Sequence, residues 1–117
     1  MSFYILDTDH LSLFQRRHSK VVSKILTIPL SQRAITITSV EEQLRGRLSQ
    51  TRKAYKAEKY IKATGALHTA IRFFASIRIL DFTEEAQAQY GRLKKAKIRI
   101  GSQNLRIAAI TLSLSAT

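Results

Sequence analysis

Two acidic side chains stand where a site for phosphoryl or metal chemistry would place them. Asp7 closes a short β-rich run, Phe3-Tyr4-Ile5-Leu6, and Glu42 follows the strand-like stretch Ala34-Ile35-Thr36-Ile37-Thr38. If both stretches are parallel strands, both acids fall at strand carboxyl ends, where open α/β sheets bind ligands. A third oxygen-bearing residue, Asn104, opens an apolar helix-like segment. Oxygen donors without sulfur or imidazole suit a hard cation, Mg²⁺ or Mn²⁺. Such an ion activates water and stabilises charge on a phosphoryl group. The same residues have plain structural uses. Asp7 or Asp9 can cap a first helix, Glu42 can complete a capping box with Ser39, and Asn104 can satisfy free N–H groups at a helix start. Convergence in space separates the two readings, and spacing alone does not show it.

The elements that would position these residues alternate. After the first run, a helix is expected over Leu11 to Gln15 and another after Ser19, carrying Val21, Val22, Ile25 and Leu26 and ending before Pro29. Ala34 to Thr38 is β-branched and free of breakers, so it reads as a strand. Ser39 is expected to open a helix to about Gln50, followed by a long helix from about Lys53 to Ala75 with a possible break at Gly65. Ile77 to Leu80 reads as a third strand. Thr83 caps the next helix, with Glu84 and Glu85 placed well against its dipole, and that helix is expected to end near Lys97. The last helix starts at Gly101-Ser102, and its body from Leu105 to Leu114 is apolar almost all round, which predicts central burial. Strand–helix alternation of this kind predicts a parallel sheet covered by helices on both faces.

The chain has 117 residues, enough for one domain spanning 1–117, and 44% of them are hydrophobic. There is no cysteine, so disulfides and thiolate metal sites are excluded. His10, His18 and His68 show no paired ligand spacing, which speaks against zinc. The apolar start, Met1 to Leu6, has no basic lead-in and meets Asp7 at once, unlike a signal peptide. No apolar run approaches the roughly 20 residues that span a bilayer. These features predict a cytoplasmic protein that does not engage a membrane.

The four segments YILDTDHLS, ITITSVEEQLRG, RILDFTEEAQAQYGRLK and IGSQNLRIAAITLSLSAT resemble, in order, the motifs of the PIN-domain family, and in particular the VapC-type toxin ribonucleases of bacterial toxin–antitoxin systems. The resemblance covers nearly the whole chain. It implies a three-layer PIN-like α/β domain with a short parallel sheet flanked by helices. It also implies a Mg²⁺- or Mn²⁺-dependent endoribonuclease, working on RNA, forming a homodimer and held inactive by an antitoxin. By this likeness Asp7 and Glu42 are metal-binding acids and Thr8 is the small polar companion of the first motif. The family's third acid is matched by Asn104, whose amide brings an oxygen without charge. The chain ends at Thr117, before the position of the family's C-terminal strand and fourth acid. Catalysis is therefore expected to be impaired. The alternative is a non-catalytic remnant that binds RNA or an antitoxin partner.

The balance of charge is the strongest compositional fact. Twenty Lys and Arg face eight Asp and Glu, for a net +12. Such an excess favours a polyanion or an acidic protein as partner. Arg45, Arg52, Lys56 and Lys59 fall near one helical face, extended by Lys53 and Lys62, and are candidates for contacts with an RNA backbone. The competing reading is a solvated helix face, partly neutralised by Glu58 and Lys62 at i,i+4. Arg92, Lys94, Lys95, Lys97 and Arg99 form a second cluster.

Overall fold

The computed structural model describes residues 4–6, 20, 23 and 26–115. Along the chain run β1 (Tyr4–Ile5), one 3-10 turn (Leu30–Gln32), β2 (Arg33–Thr36), α1 (Ile37–Lys53), α2 (Ala57–Ala75), β3 (Arg78–Leu80), α3 (Glu84–Lys95) and α4 (Ser102–Ser115). The expected helix over Leu11 to Gln15, together with Asp7, Thr8, Asp9 and His10, lies outside the described residues; of the helix expected after Ser19, Lys20, Ser23 and Leu26 are described, all helical and exposed, while Val21, Val22 and Ile25 lie outside.

β2 is the central strand and pairs in parallel with β1 on one side and β3 on the other. Ile5 stands opposite Ala34, and Ile35 opposite Ile79. The Leu6 N–H donates to the Ala34 carbonyl at 2.8 Å, carrying the first pairing one residue further. A strand paired on both edges and covered on both faces needs a continuous run of small or apolar side chains. Ala34, Ile35 and Thr36 meet that demand and are completely buried.

Successive strand residues point to opposite faces, and here they divide the core. Ile35 joins Val40, Ala70 and Phe74, with Leu44, Phe73, Ile77 and Ile79 packed against them. Ala34 joins Leu80, Ala86 and Ile110, with Ile5 and Phe82 alongside. Val40 sits near the start of α1 and Phe74 near the end of α2, so these helices run antiparallel as a hairpin joined by residues 54–56.

The expectation of a three-layer PIN-like α/β domain is corrected here. The strands hold two, four and three residues, whereas the helices hold 17, 19, 12 and 14. The domain is helix-rich, and its small parallel sheet is a narrow seam between helical pairs, not a full sheet layer. Among the described residues, no helix is long and apolar enough to cross a membrane.

Helix boundaries show which local signals won. α1 starts at Ile37, because Thr36 and not Ser39 is its cap: the Thr36 Oγ1 accepts the Ser39 N–H at 3.1 Å and donates to the Ser39 Oγ at 3.1 Å. Glu42 therefore lies in the second turn and completes no capping box. α2 runs unbroken through Gly65, where an added Cβ would meet nothing within 4 Å. Thr83 does cap α3, accepting the Ala86 N–H at 3.2 Å, with Glu84 and Glu85 in the first turn. α4 is buried along one side only. Leu105, Ala109 and Ile110 face the core, while Leu112 and Leu114 are 41% and 37% exposed.

α3 ends in a Schellman turn. Lys97 donates to the Lys94 carbonyl, Ile98 donates to that of Leu93, and Lys97 takes a φ of 56°. That left-handed conformation costs an L-residue about 1–2 kcal/mol and is the usual place for glycine. Lys97→Gly should therefore stabilise the domain by about 1 kcal/mol and raise its melting temperature by about 4 °C, read by thermal denaturation. An unchanged or lower melting point would show that the turn is not formed in solution.

Candidate functional site

A groove of about 770 Å³ opens at the carboxyl ends of β2 and β3. Three stretches of chain build it. Ile37 and Thr38 enter from the strand-to-helix junction after β2, and Phe82 from the segment after β3. Ser102, Gln103 and Arg106 come from the first turns of α4. One turn further along α1, Glu41 and Arg45 close the wall.

The polar groups form one chain across the groove. Arg45 Nη2 donates to Glu41 Oε2 at 3.1 Å, and Gln103 Nε2 donates to Glu41 Oε1 at 3.2 Å. Arg106 Nη1 donates to Gln103 Oε1 at 2.8 Å. The Arg106 guanidinium also lies 5.4 Å from the centre of the Tyr90 ring, with the Lys94 ammonium 5.5 Å from the same ring. Tyr90 is steadied by an edge contact to Phe82, with centroids 6.2 Å apart. Among the described residues a single carboxylate, both of whose oxygens already accept bonds, thus faces two guanidinium groups and the start of a helix. Such a groove favours an anionic group brought from outside.

The structure sorts the sequence candidates differently from the spacing argument. Asp7 and Thr8 lie outside the described residues. Glu42 is half-buried and Asn104 is exposed; neither lines the groove, although each is the immediate neighbour of a residue that does. Among the described residues, no three carboxylate, imidazole or thiolate side chains gather as a metal-ligand set. Among the described residues the groove holds one carboxylate, that of Glu41, and it is engaged by Arg45 and Gln103. Of the basic candidates, Arg45 and Arg52 share the wall of one shallow concavity, Lys59 lines another, and Lys56 lines neither. The residues that spacing missed are Glu41, Tyr90, Gln103 and Arg106. The Glu41–Arg45 pair at i,i+4 was the one available signal.

No protein-family model matches the chain, and no curated protein matches it in sequence. Solved structures do match in fold. A chain of FitAcB from Neisseria gonorrhoeae aligns with a TM-score of 0.71 at 24% identity, covering 95% of this chain and 81% of that one. A chain of VapBC-1 from nontypeable Haemophilus influenzae aligns at 0.67 and 21% identity, covering 97% and 81%. A chain of DNA-bound VapBC from Salmonella typhimurium aligns at 0.71 and 16%, again covering 97% and 81%. Likeness at this identity establishes a shared fold and carries no catalytic assignment. These neighbours are chains of FitAcB, of VapBC-1 and of a DNA-bound VapBC, and at such identities they speak to the fold alone. The reading as a VapC-type PIN toxin ribonuclease, and with it the assignment as an enzyme, is corrected accordingly.

The groove's ion pair is exposed, its side chains 69% and 55% accessible, so it should contribute little to stability. Glu41→Gln is expected to shift the unfolding free energy by less than about 0.5 kcal/mol. Ile110→Ala, in the core beneath, should cost about 2–5 kcal/mol. Denaturant titration of both variants checks the contrast, and a large loss in Glu41→Gln would show that the polar chain holds the fold together.

Proposed function

We propose that the chain is a non-catalytic, partner-binding member of a toxin–antitoxin pair, and that its partner is a protein presenting carboxylates to the groove at the sheet end. The observation that carries this reading is the fold shared along 95–97% of the chain with chains of two-component complexes. The groove adds chemical support. Arg45 and Arg106 flank it and Gln103 links α4 to α1, so a partner's acidic side chain would meet pre-positioned donors. The net charge of +12 speeds encounter with an acidic partner.

Coexpression with the product of the adjacent reading frame tests the proposal. A complex of defined stoichiometry is expected to survive size exclusion with light scattering. Arg45→Glu combined with Arg106→Glu should raise its Kd by about 10–100-fold, in the range of charged interface contacts. Two free proteins on the column would remove the partner reading. Cleavage of a structured RNA by the purified chain in Mn²⁺ would remove the non-catalytic one.

A further inference from the structure

A second concavity, of about 620 Å³, lies between the last turns of α1 and the first turns of α2. Arg47 and Lys53 reach it from α1, and Lys59 and Lys62 from α2. Ala54, Ala63 and Ala66 supply the small side chains of its wall. The groove at the sheet end shares none of these residues. From position 43 to position 80 the only acidic residue is Glu58, which is exposed in the first turn of α2. Four cations are thus gathered around one hollow with a single carboxylate in that part of the chain.

We infer that this hollow binds the phosphodiester backbone of a nucleic acid. Cations arranged on both walls of a concave surface match a linear polyanion, whose binding releases condensed counterions. Alanine walls let the strand come close to the helix backbones. Tyr55 and Tyr60, each adjacent in sequence to a wall residue, are 83% and 52% exposed and offer ring faces to unstacked bases. An acidic protein segment fits less well, because protein interfaces rely on large side chains anchored in pockets and this wall provides none. The inference is independent of the partner-protein reading, which concerns the other groove.

The test is fluorescence anisotropy of a labelled 20-nucleotide single strand, and of its duplex, titrated with the full chain across a potassium chloride series. The triple variant Lys53→Gln, Lys59→Gln, Lys62→Gln should bind at least tenfold more weakly. For the single strand, its log–log salt slope should be shallower by about 2, at roughly 0.7 per phosphate contact. A control triple, Arg92→Gln, Lys95→Gln and Arg99→Gln, removes equal charge elsewhere and should stay within about twofold of the parent. Circular dichroism melts establish that both triples fold; should the first fail to, Lys62→Gln alone should flatten the slope by about 0.7. Equal weakening in the two triples would overturn the site in favour of diffuse charge. Tighter binding of an oligoglutamate peptide than of either nucleic acid, lost in the first triple, would overturn it in favour of an acidic protein. Absence of nucleic-acid binding at low salt would overturn it outright.

Discussion

The molecule turns on Thr36. This residue ends the strand that, among the described residues, is paired on both edges and, with no loop between, caps the helix that follows. Its side chain is wholly buried, so the hydroxyl must find partners, and it finds them in the N–H and hydroxyl of Ser39. The junction therefore has almost no freedom: moving the start of α1 by one residue would break the cap and leave a buried hydroxyl without its bonds. Because the junction is rigid, Ile37, Thr38, Glu41 and Arg45 are delivered to the same end of the sheet as Phe82, and α4 completes the groove from across the seam.

Much of the chain's local structure could be read directly. The first part of the strand expected over Ala34 to Thr38, the cap at Thr83 and the end of α2 at Ala75 rest on signals within a few residues, where propensity and capping chemistry act, whereas Ile37 and Thr38 went to α1, and α2 starts at Ala57 and not near Lys53. The readings that failed depended on competition or packing. Thr36 and Ser39 are both good caps; burial of Thr36 decided between them, and burial is a property of the folded chain. The apolar circumference of α4 suggested an enclosed helix, yet the small sheet and α3 supply cover for one side only. The site shows the same division. Glu41 and Glu42, like Gln103 and Asn104, differ by one position, which rotates a side chain about 100° around a helix. Sequence spacing brings both pairs near the groove, and only packing selects Glu41 and Gln103 as its walls. The motif resemblance selected the other member of each pair and attached catalysis to it, whereas the fold likeness that stands on coordinates lies below 25% identity and speaks to architecture.

The excess of positive charge is distributed unevenly, and the α1–α2 hairpin bears the consequence. Between positions 41 and 69 no side chain is buried; the hairpin is anchored at its base by Val40, Ala70 and Phe74 around Ile35. Its far part carries Arg45, Arg47, Arg52, Lys53, Lys56, Lys59 and Lys62 against Glu58. Few buried contacts and many like charges place this region at the low end of local stability. Half-buried Ala54, Ala63 and Ala66 allow the helices to approach closely, which brings the cations of the two walls nearer to one another and sharpens their repulsion. At physiological salt the Debye length is about 8 Å, so neighbours across the hollow still sense each other.

Repulsion within the hairpin and affinity for a polyanion are two sides of one arrangement. An anion lodged between α1 and α2 would neutralise the charges that push the helices apart, so its binding energy and the stability of the hairpin are linked. The groove at the sheet end has no such strain. Its Arg45 is paired with Glu41, its Arg106 is held by Gln103 and Tyr90, and it stands on the better-packed part of the domain. One surface is pre-organised and would accept a partner with little rearrangement, while the other gains order when it is filled. If both proposals hold, the chain would carry a protein at its rigid end and a nucleic acid at its soft end, with the shared helix α1 as the physical connection between them.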